Sequence, residues 1–396
     1  MKRWFGFLTF ALLILIVLVL DLSPATPASP PPSAADAQAG QALLHQAESE
    51  HNRNALYEWP SLHSATRLAA QFSGQSRLAI DASAAEQHYL AIQASRSLGL
   101  HLWLNARLTV SEGKGVPPLA LTLGSVTLPA DLSRWIIGRA LERAQRTYPG
   151  LPPLEQIIRD VQITPQGVRA KLNVPVTTLL AQQGAAHVRA RTLACQAMAA
   201  LPGSKPIALE QLLNTVFAGA PTDAETNSQL LAQLALIASP AEAARFFPAA
   251  GAVPPECGLA DRTLTLQGRE DLARHWLMSA SLTARFGAQL SNALGFWKEL
   301  SDSAPKGSGF SFVDLAADCS GMMWGARLVT NETAASAANA LEIISANTLL
   351  PPEALTLDEG LPEAEFAKRY GSITHLRCAR DLRQKLPKMV SSELTR

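Results

Sequence analysis

The chain has 396 residues, of which 47% are hydrophobic and 17% are charged, and its formal net charge at pH 7 is +1. This composition is typical of a folded protein of two or three domains with a large core and a modestly charged surface. Because basic residues are not concentrated beyond the first few positions, nucleic acid is excluded as a partner.

The first element is an apolar run over residues 5–20, preceded by Lys2 and Arg3. The run is short for a membrane span, long for the core of a signal peptide, and followed by prolines that disfavour cleavage. The two basic residues favour a cytoplasmic N-terminus. We therefore predict a signal anchor over residues 1–21, which holds the protein in the inner membrane by a single pass, with the bulk of the chain in the bacterial periplasm. The alternative is secretion to the periplasm after cleavage.

The next two segments differ in their pattern. Residues 22–58 predict a linker rich in proline and alanine and then a helix over 37–58. Residues 59–175 predict an α+β domain, because alternating apolar and polar residues occur together with a helical pattern. Its predicted elements are strands near 100–110 and 119–123, a helix over 130–147 and a hairpin over 161–174. The helix is expected to turn inward the side chains of Leu132, Trp135, Ile136 and Leu141.

The remainder is rich in alanine and leucine, and we divide it into a helical connecting region, residues 176–258, and a helical domain, residues 259–396. The predicted helices run over about 176–200, 207–217, 225–238, 240–247, 269–286, 288–302, 331–346, 362–370 and 373–386, with one more beginning near 311. The predicted fold is therefore α+β, with a membrane anchor helix, a small antiparallel sheet plus helix, and a mainly α-helical C-terminal domain.

All four cysteines lie in this helical part: Cys195, Cys257, Cys319 and Cys378. Their spacing matches no zinc site. In an oxidising compartment they permit two disulfides in any of three pairings, and buried free thiols are the alternative.

Charged residues inside an apolar helical pattern are densest between residues 269 and 325, where three helices are expected. Ser311 followed by Asp314 predicts a capping box, in which the carboxylate accepts a hydrogen bond from the backbone N–H of the N-cap residue Ser311. Because a buried charge is unfavourable unless it is paired, the polar side chains of the three helices are expected to meet. The expected cluster consists of His275, Lys298, Glu299, Asp302, Asp314 and Asp318.

These residues also carry a resemblance to a known family. The matching segments are His275, then Gly295-Phe-Trp-Lys298-Glu299-Leu-Ser-Asp302, then Gly307-Ser-Gly309-Phe310-Ser311-Phe312-Val-Asp314-Leu315-Ala-Ala317-Asp318-Cys-Ser-Gly321. In this order they resemble the motif of the YfiM-like periplasmic proteins of bacteria and, more remotely, that of VanZ-like proteins. The related proteins often have Asp-Lys shortly before the histidine, where this chain has Asp271-Leu-Ala-Arg274. The resemblance covers residues 269–325 and implies a helical fold without a settled biochemical activity.

The expected cluster leaves two classes of function open. In a catalytic or metal site, His275 is a base or ligand beside the carboxylates of Glu299, Asp302, Asp314 and Asp318. The metal candidates are then His275, Glu299 and Asp318, and the candidates for binding a polar ligand are Lys298, Ser279 and Ser311. In a structural network, Lys298 and Arg274 neutralise the carboxylates instead.

We expect the second class, because the Lys298 ammonium already supplies compensating charge beside the carboxylates. The predicted function is a structural or binding role in the cell envelope, with an envelope protein or lipid as partner and no cofactor. The alternative is an envelope hydrolase or a metal-dependent enzyme that binds a divalent ion.

Overall fold

The structure, a computed structural model, describes residues 18–50, 53–72, 76–81, 88–147, 152–172, 185–201, 206–218, 223–247, 257, 259 and 262–370. The chain divides into two compact units, residues 1–175 and 176–396. Most of the predicted anchor lies outside the described residues, and Leu20 at its end belongs to a β-strand. No helix within the described ranges is long and apolar enough to cross a membrane.

The first unit combines antiparallel sheets with helices. Its strands are β1 (Leu20–Asp21), β2 (Asn54–Glu58), β3 (Ser76–Asp81), β4 (Tyr89–Gly99), β5 (Leu102–Ser111), β6 (Leu119–Leu123), β7 (Val126–Thr127), β8 (Ile158–Thr164) and β9 (Gly167–Leu172). Its helices are α1 (Ala34–Ser49), α2 (Trp59–Phe72), α3 (Ala130–Thr147) and α4 (Leu154–Ile157). One sheet has the order β3-β4-β5-β6-β7 with β1 added to β5, and the other has the order β2-β9-β8. The mixed fold with antiparallel sheets is as predicted.

Strict alternation identified the strands β5, β6, β8 and β9, but β2, β3 and β4 were missed. Strand β4 lies between β3 and β5, and both of its faces are partly covered, so its residues do not alternate cleanly. The helix expected over 37–58 is also wrong in its second half. It ends at Ser49, and residues 54–58 pair with β9 as a strand because the sheet offers them backbone partners.

Helix α3 turns a different face inward than predicted. Ser133 and Ile137 face the sheet, whereas Leu132 and Trp135 are 41% and 60% exposed. The Ser133 hydroxyl accepts a hydrogen bond from the Leu121 N–H at 3.0 Å. Strand β7 is only two residues long and pairs with Thr122 and Leu123 of β6. The Leu121 N–H therefore has no acceptor in β7, and the Ser133 hydroxyl takes that role.

The second unit is a helical bundle. Its helices are α5 (Ala185–Ala200), α6 (Leu209–Phe217), α7 (Ala224–Ala238), α8 (Pro240–Phe246), α9 (Glu270–Phe286), α10 (Ala288–Asp302), α11 (Phe312–Val329), α12 (Ala334–Leu341), α13 (Ala346–Leu349) and α14 (Glu363–Tyr370). A short parallel pair joins β10 (Ile207–Ala208) to β11 (Leu264–Thr265). One hydrophobic core includes α5, α6 and α7 together with α9, α11 and α12. The connecting region and the C-terminal helices therefore belong to one unit.

A disulfide ties α5 to the loop before β11. It joins Cys195 to Cys257, whose Cα atoms are 4.6 Å apart across a sequence separation of 62. Cys319 is disulfide-bonded as well, so free thiols are the wrong alternative for Cys195, Cys257 and Cys319. Cys378 lies outside the described residues, as does the helix predicted over 373–386.

Two glycines bring α9 and α11 into close contact. Gly321 and Gly325 lie one turn apart on α11. A Cβ atom at Gly321 would lie 2.2 Å from the Trp276 carbonyl oxygen, and one at Gly325 would lie 2.3 Å from the Ala280 carbonyl oxygen. Only hydrogen fits at either position, and the close approach holds the polar residues of the two helices within hydrogen-bond distance.

Candidate functional site

Helices α9, α10 and α11 bring the predicted polar residues together in what we call the His275 cluster. Its members are His275 and Ser279 from α9, Lys298, Glu299 and Asp302 from α10, Asp314 and Asp318 from α11, and Ser311 just before α11. The side chains of Glu299, Asp318 and His275 are 1%, 4% and 9% exposed, and that of Asp314 is 14% exposed. Lys298 and Asp302, at 38% and 31%, form the edge that solvent reaches.

Both ring nitrogens of His275 face carboxylates. Nδ1 lies 3.0 Å from Asp318 Oδ1. Nε2 lies 3.4 Å from Asp314 Oδ2 and 3.8 Å from Glu299 Oε1. Asp318 therefore fixes the orientation of the ring, and the second nitrogen is directed at two further carboxylates.

The two carboxylate oxygens of Asp318 differ in their hydrogen bonding. The Ser279 hydroxyl donates to Asp318 Oδ1 at 2.7 Å. Oδ2 is buried and accepts no hydrogen bond within the described part of the chain. A Cβ atom at Gly295 would lie 2.8 Å from this oxygen, so a glycine at this point lets α10 approach the carboxylate. Sequence reasoning missed this role, although Gly295 lies in the quoted motif.

The capping box predicted at the start of α11 is half right. Ser311 Oγ accepts a hydrogen bond from the Asp314 N–H at 3.0 Å, as predicted. The reciprocal bond is not made by Asp314, because the Ser311 N–H donates instead to Glu299 Oε2 of α10 at 3.0 Å. The Asp314 carboxylate is thereby free to face His275.

Lys298 neutralises part of the cluster, as predicted, but Arg274 does not. The Lys298 ammonium lies 3.2 Å from Glu299 Oε1 and 2.9 Å from Asp302 Oδ2. Arg274 pairs at 3.9 Å with Glu270, one turn away on the exposed side of α9.

The second cation near the cluster is Arg269, which sequence reasoning missed. Its Nη2 lies 3.8 Å from Asp314 Oδ1, and its Nη1 lies 2.8 Å from Glu359 Oε2. The signal that could have identified Arg269 is its position immediately before α9, since a side chain at the end of a helix can reach a neighbouring helix. From there its side chain reaches the first turn of α11.

Aromatic side chains hold the loop that carries Ser311. The ring centroids of Phe310 and Phe366 lie 4.2 Å apart, and those of Phe312 and Tyr370 lie 4.6 Å apart, so the loop packs on α14. Gly309 has φ +89°, and a Cβ atom there would lie 2.3 Å from the backbone of Gly360. The loop is therefore fixed by packing from outside the cluster.

Burial and the facing charges set the protonation of the cluster. Burial alone lowers the pKa of His275, but the carboxylates of Asp318 and Asp314 reverse this and raise that pKa to about 9. Burial raises the pKa of Glu299 to about 7, against the opposing effect of Lys298 and His275. Burial also raises the pKa of Asp314. At neutral pH the imidazole is therefore protonated, and the carboxyl group of Glu299 is near its midpoint.

We expect the free energy of unfolding to decrease as pH rises through the titration of His275. The folded-state pKa of about 9 exceeds the ordinary value of 6.5, so this contribution is complete below 6.5 and is lost as pH approaches 9. Its size is on the order of 3 kcal/mol. The raised pKa of Glu299 adds a decrease in the same direction between 4.5 and about 7. Urea denaturation between pH 6 and 9.5 measures the effect, and the slope above pH 6.5 should flatten in His275→Gln. Equal slopes in the two proteins would contradict the assignment.

Three residues of the cluster are placed to hold a metal ion. One ligand atom each from His275, Glu299 and Asp314 lies within 4.8 Å of the others. This group differs from the predicted metal candidates in one member. Asp314 stands where Asp318 was expected, because Asp318 is engaged with the other ring nitrogen.

Comparison of the chain with family models, with curated proteins and with solved structures finds no match. The YfiM-like resemblance of residues 269–325 therefore stays a prediction, and the chemistry of the cluster follows from its own geometry.

Proposed function

We propose that this protein works in the bacterial cell envelope and that its second unit binds a divalent cation through His275, Glu299 and Asp314. The observation that carries the proposal is the orientation of the imidazole. Asp318 holds Nδ1 at 3.0 Å, and Nε2 is directed at the two other carboxylates. Histidines that bind metals are oriented by a carboxylate on the opposite ring nitrogen in the same way.

The distances between the donor atoms suit an ion. With bond lengths of about 2.0–2.2 Å, neighbouring ligand atoms of one ion lie roughly 3.0–3.5 Å apart. Nε2 of His275 lies 3.4 Å from Asp314 Oδ2 and 3.8 Å from Glu299 Oε1, and the three ligand atoms lie within 4.8 Å of one another, so the carboxylates have to move inward to bind one ion. One imidazole nitrogen with two carboxylates favours ions such as Mn²⁺, Fe²⁺ or Zn²⁺.

The charge balance also favours a cation. Four carboxylates face a protonated His275 and Lys298, and the surplus of negative charge contributes to the raised pKa of Glu299. A divalent ion that displaces the imidazole proton lowers this surplus of negative charge by one. Lys298 does not prevent binding, because its ammonium keeps Asp302 as a partner at 2.9 Å when Glu299 turns to the ion.

The burial of the cluster favours a bound ion over hydrolysis. The side chains of His275 and Glu299 are 9% and 1% exposed, so a substrate of ordinary size does not touch either one. A single ion is small enough to enter the cluster past the half-exposed edge formed by Lys298 and Asp302. The structural network stays the competing outcome of the test.

The proposed location has its own support. Disulfides persist in oxidising compartments, and Cys195 is bonded to Cys257. Together with Lys2, Arg3 and the apolar run that precedes Leu18, this favours a protein held at the inner membrane by its N-terminal segment, with its bulk in the periplasm.

The test is the metal content of the full chain, purified in detergent without chelator and measured by mass spectrometry before and after incubation with Mn²⁺, Fe²⁺ or Zn²⁺. We expect close to one ion per chain, lost in His275→Gln and in Glu299→Gln. Asp302→Asn is the matched control, because it changes a carboxylate of the same cluster outside the ligand set. The bound ion should also raise the melting temperature, because a hundredfold excess of ion over Kd adds about 2.7 kcal/mol to the free energy of unfolding. A chain that retains no ion under any of these conditions leaves the cluster as a structural network.

A further inference from the structure

We infer that helix α3 of the first unit lies on an anionic lipid surface, with Leu132 and Trp135 in the interface and its arginines at the headgroups. This surface is independent of the cation site. Its apolar members, Leu132 and Trp135, are two of the four residues that sequence reasoning expected to be buried, and the structure exposes them.

The exposed face of α3 combines two apolar side chains with two arginines. Residues 132, 135, 139 and 143 recur at helical spacing on the side opposite the buried Ser133. Leu132 is 41% exposed and Trp135 is 60% exposed. The Arg139 guanidinium lies 5.8 Å from the centroid of the Trp135 ring. A tryptophan ring beside arginines suits the boundary between acyl chains and charged headgroups.

The charge of the helix complements anionic headgroups. Helix α3 contains four arginines and two acidic residues, Asp131 and Glu142, so its net charge is +2. Arg139 pairs with Glu142 at 2.8 Å, and Arg134 lies 3.9 Å from Glu155, but both pairs are more than 45% exposed on each side. Exposed ion pairs of this kind are weak, so the arginines can exchange their carboxylate partners for lipid phosphate groups.

The start of α3 is fixed beside the point where the N-terminal apolar run joins the unit. The Leu18 carbonyl accepts hydrogen bonds from the Ser125 N–H at 2.9 Å and from its hydroxyl at 3.0 Å. A Cβ atom at Gly124 would lie 2.5 Å from the same carbonyl oxygen, so the contact is close. Helix α3 begins five residues after Ser125. If the apolar run before Leu18 enters a bilayer, as in the proposed function, the chain leaves it at a point that contacts the turn leading into α3.

The test uses the full chain reconstituted in vesicles of phosphatidylcholine alone or with about 30% phosphatidylglycerol. A cysteine introduced by Leu132→Cys carries an environment-sensitive fluorophore. Lys114→Cys, at an exposed position of the same unit, is the matched control. Brominated acyl chains should quench the label at position 132 several-fold more than the label at 114, and more strongly with the anionic lipid. Arg139→Gln and Arg143→Gln should each weaken the association of the helix with the surface about fivefold.

The outcomes separate this inference from the proposed anchor. Equal quenching at the two positions, in a chain that floats with the vesicles, overturns the inference and leaves the anchor standing. A chain that floats with neither kind of vesicle overturns both.

Discussion

Glu299→Ala is expected to lower the free energy of unfolding by about 3–5 kcal/mol, because it removes one partner from a buried charged network. Glu299 is 1% exposed and accepts hydrogen bonds from the Ser311 N–H at 3.0 Å and from the Lys298 ammonium at 3.2 Å. Its loss leaves the buried Ser311 amide without an acceptor, removes one partner of the half-exposed Lys298 and leaves the protonated His275 with one carboxylate fewer. Urea denaturation at pH 7 measures the change.

Two control substitutions separate the charge of Glu299 from its hydrogen bonds. Glu299→Gln keeps an acceptor for the Ser311 N–H and has the charge of the protonated carboxyl, so we expect it to cost about 1–2 kcal/mol. Asp302→Ala, at the half-exposed edge, should cost less than about 1 kcal/mol. An unchanged midpoint for Glu299→Ala would mean that the cluster does not stabilise the fold, and the structural network would then fail as an explanation.

Gly321→Ala is expected to destabilise the second unit by about 3 kcal/mol, at the upper end of the usual range for overpacking. The added Cβ atom would lie 2.2 Å from the Trp276 carbonyl oxygen, which is a backbone atom and cannot rotate away. Helices α9 and α11 have to separate. The separation lengthens the 3.0 Å contact between His275 and Asp318, so the pKa of His275 should fall from about 9. Denaturation and an NMR titration of the imidazole give the two readouts.

The same substitution at Gly138, in the middle of α3, is the control. A Cβ atom there would meet nothing within 4 Å, so Gly138→Ala should stabilise the helix by up to about 1 kcal/mol. If both substitutions have the same small effect, the two helices are not held by the close approach of their backbones.

Local signals in the sequence were enough to predict the helices that carry the cluster. The expected bounds 269–286 and 288–302 match α9 and α10 closely, because each helix has its own apolar period and its own ends. The meeting of His275 with the carboxylates was also predictable. Charged residues on buried faces have to find partners, and few were present.

The pairing within the cluster was not predictable, because it depends on which helices approach most closely. The carboxylates of Asp314 and Asp318 are one turn apart on one helix and equivalent by spacing. The structure assigns them to different nitrogens of His275. Arg274 was the nearer cation in sequence, yet Arg269 reaches the site because it precedes the helix. The outward face of α3 was missed for the same reason, since a backbone amide of β6 required the Ser133 hydroxyl.

The hydrogen bond from Ser311 to Glu299 has a consequence for the order of folding. The first turn of α11 gets one of its acceptors from another helix, so a peptide of this segment alone lacks a bond that the whole protein has. Helix nucleation is unfavourable, and the missing bond falls at the step where nucleation occurs. Helix α11 should therefore form together with the docking of α10, as one cooperative event. Amide hydrogen exchange of Ser311 would then report the opening of the helix pair, and not the fraying of a single helix end.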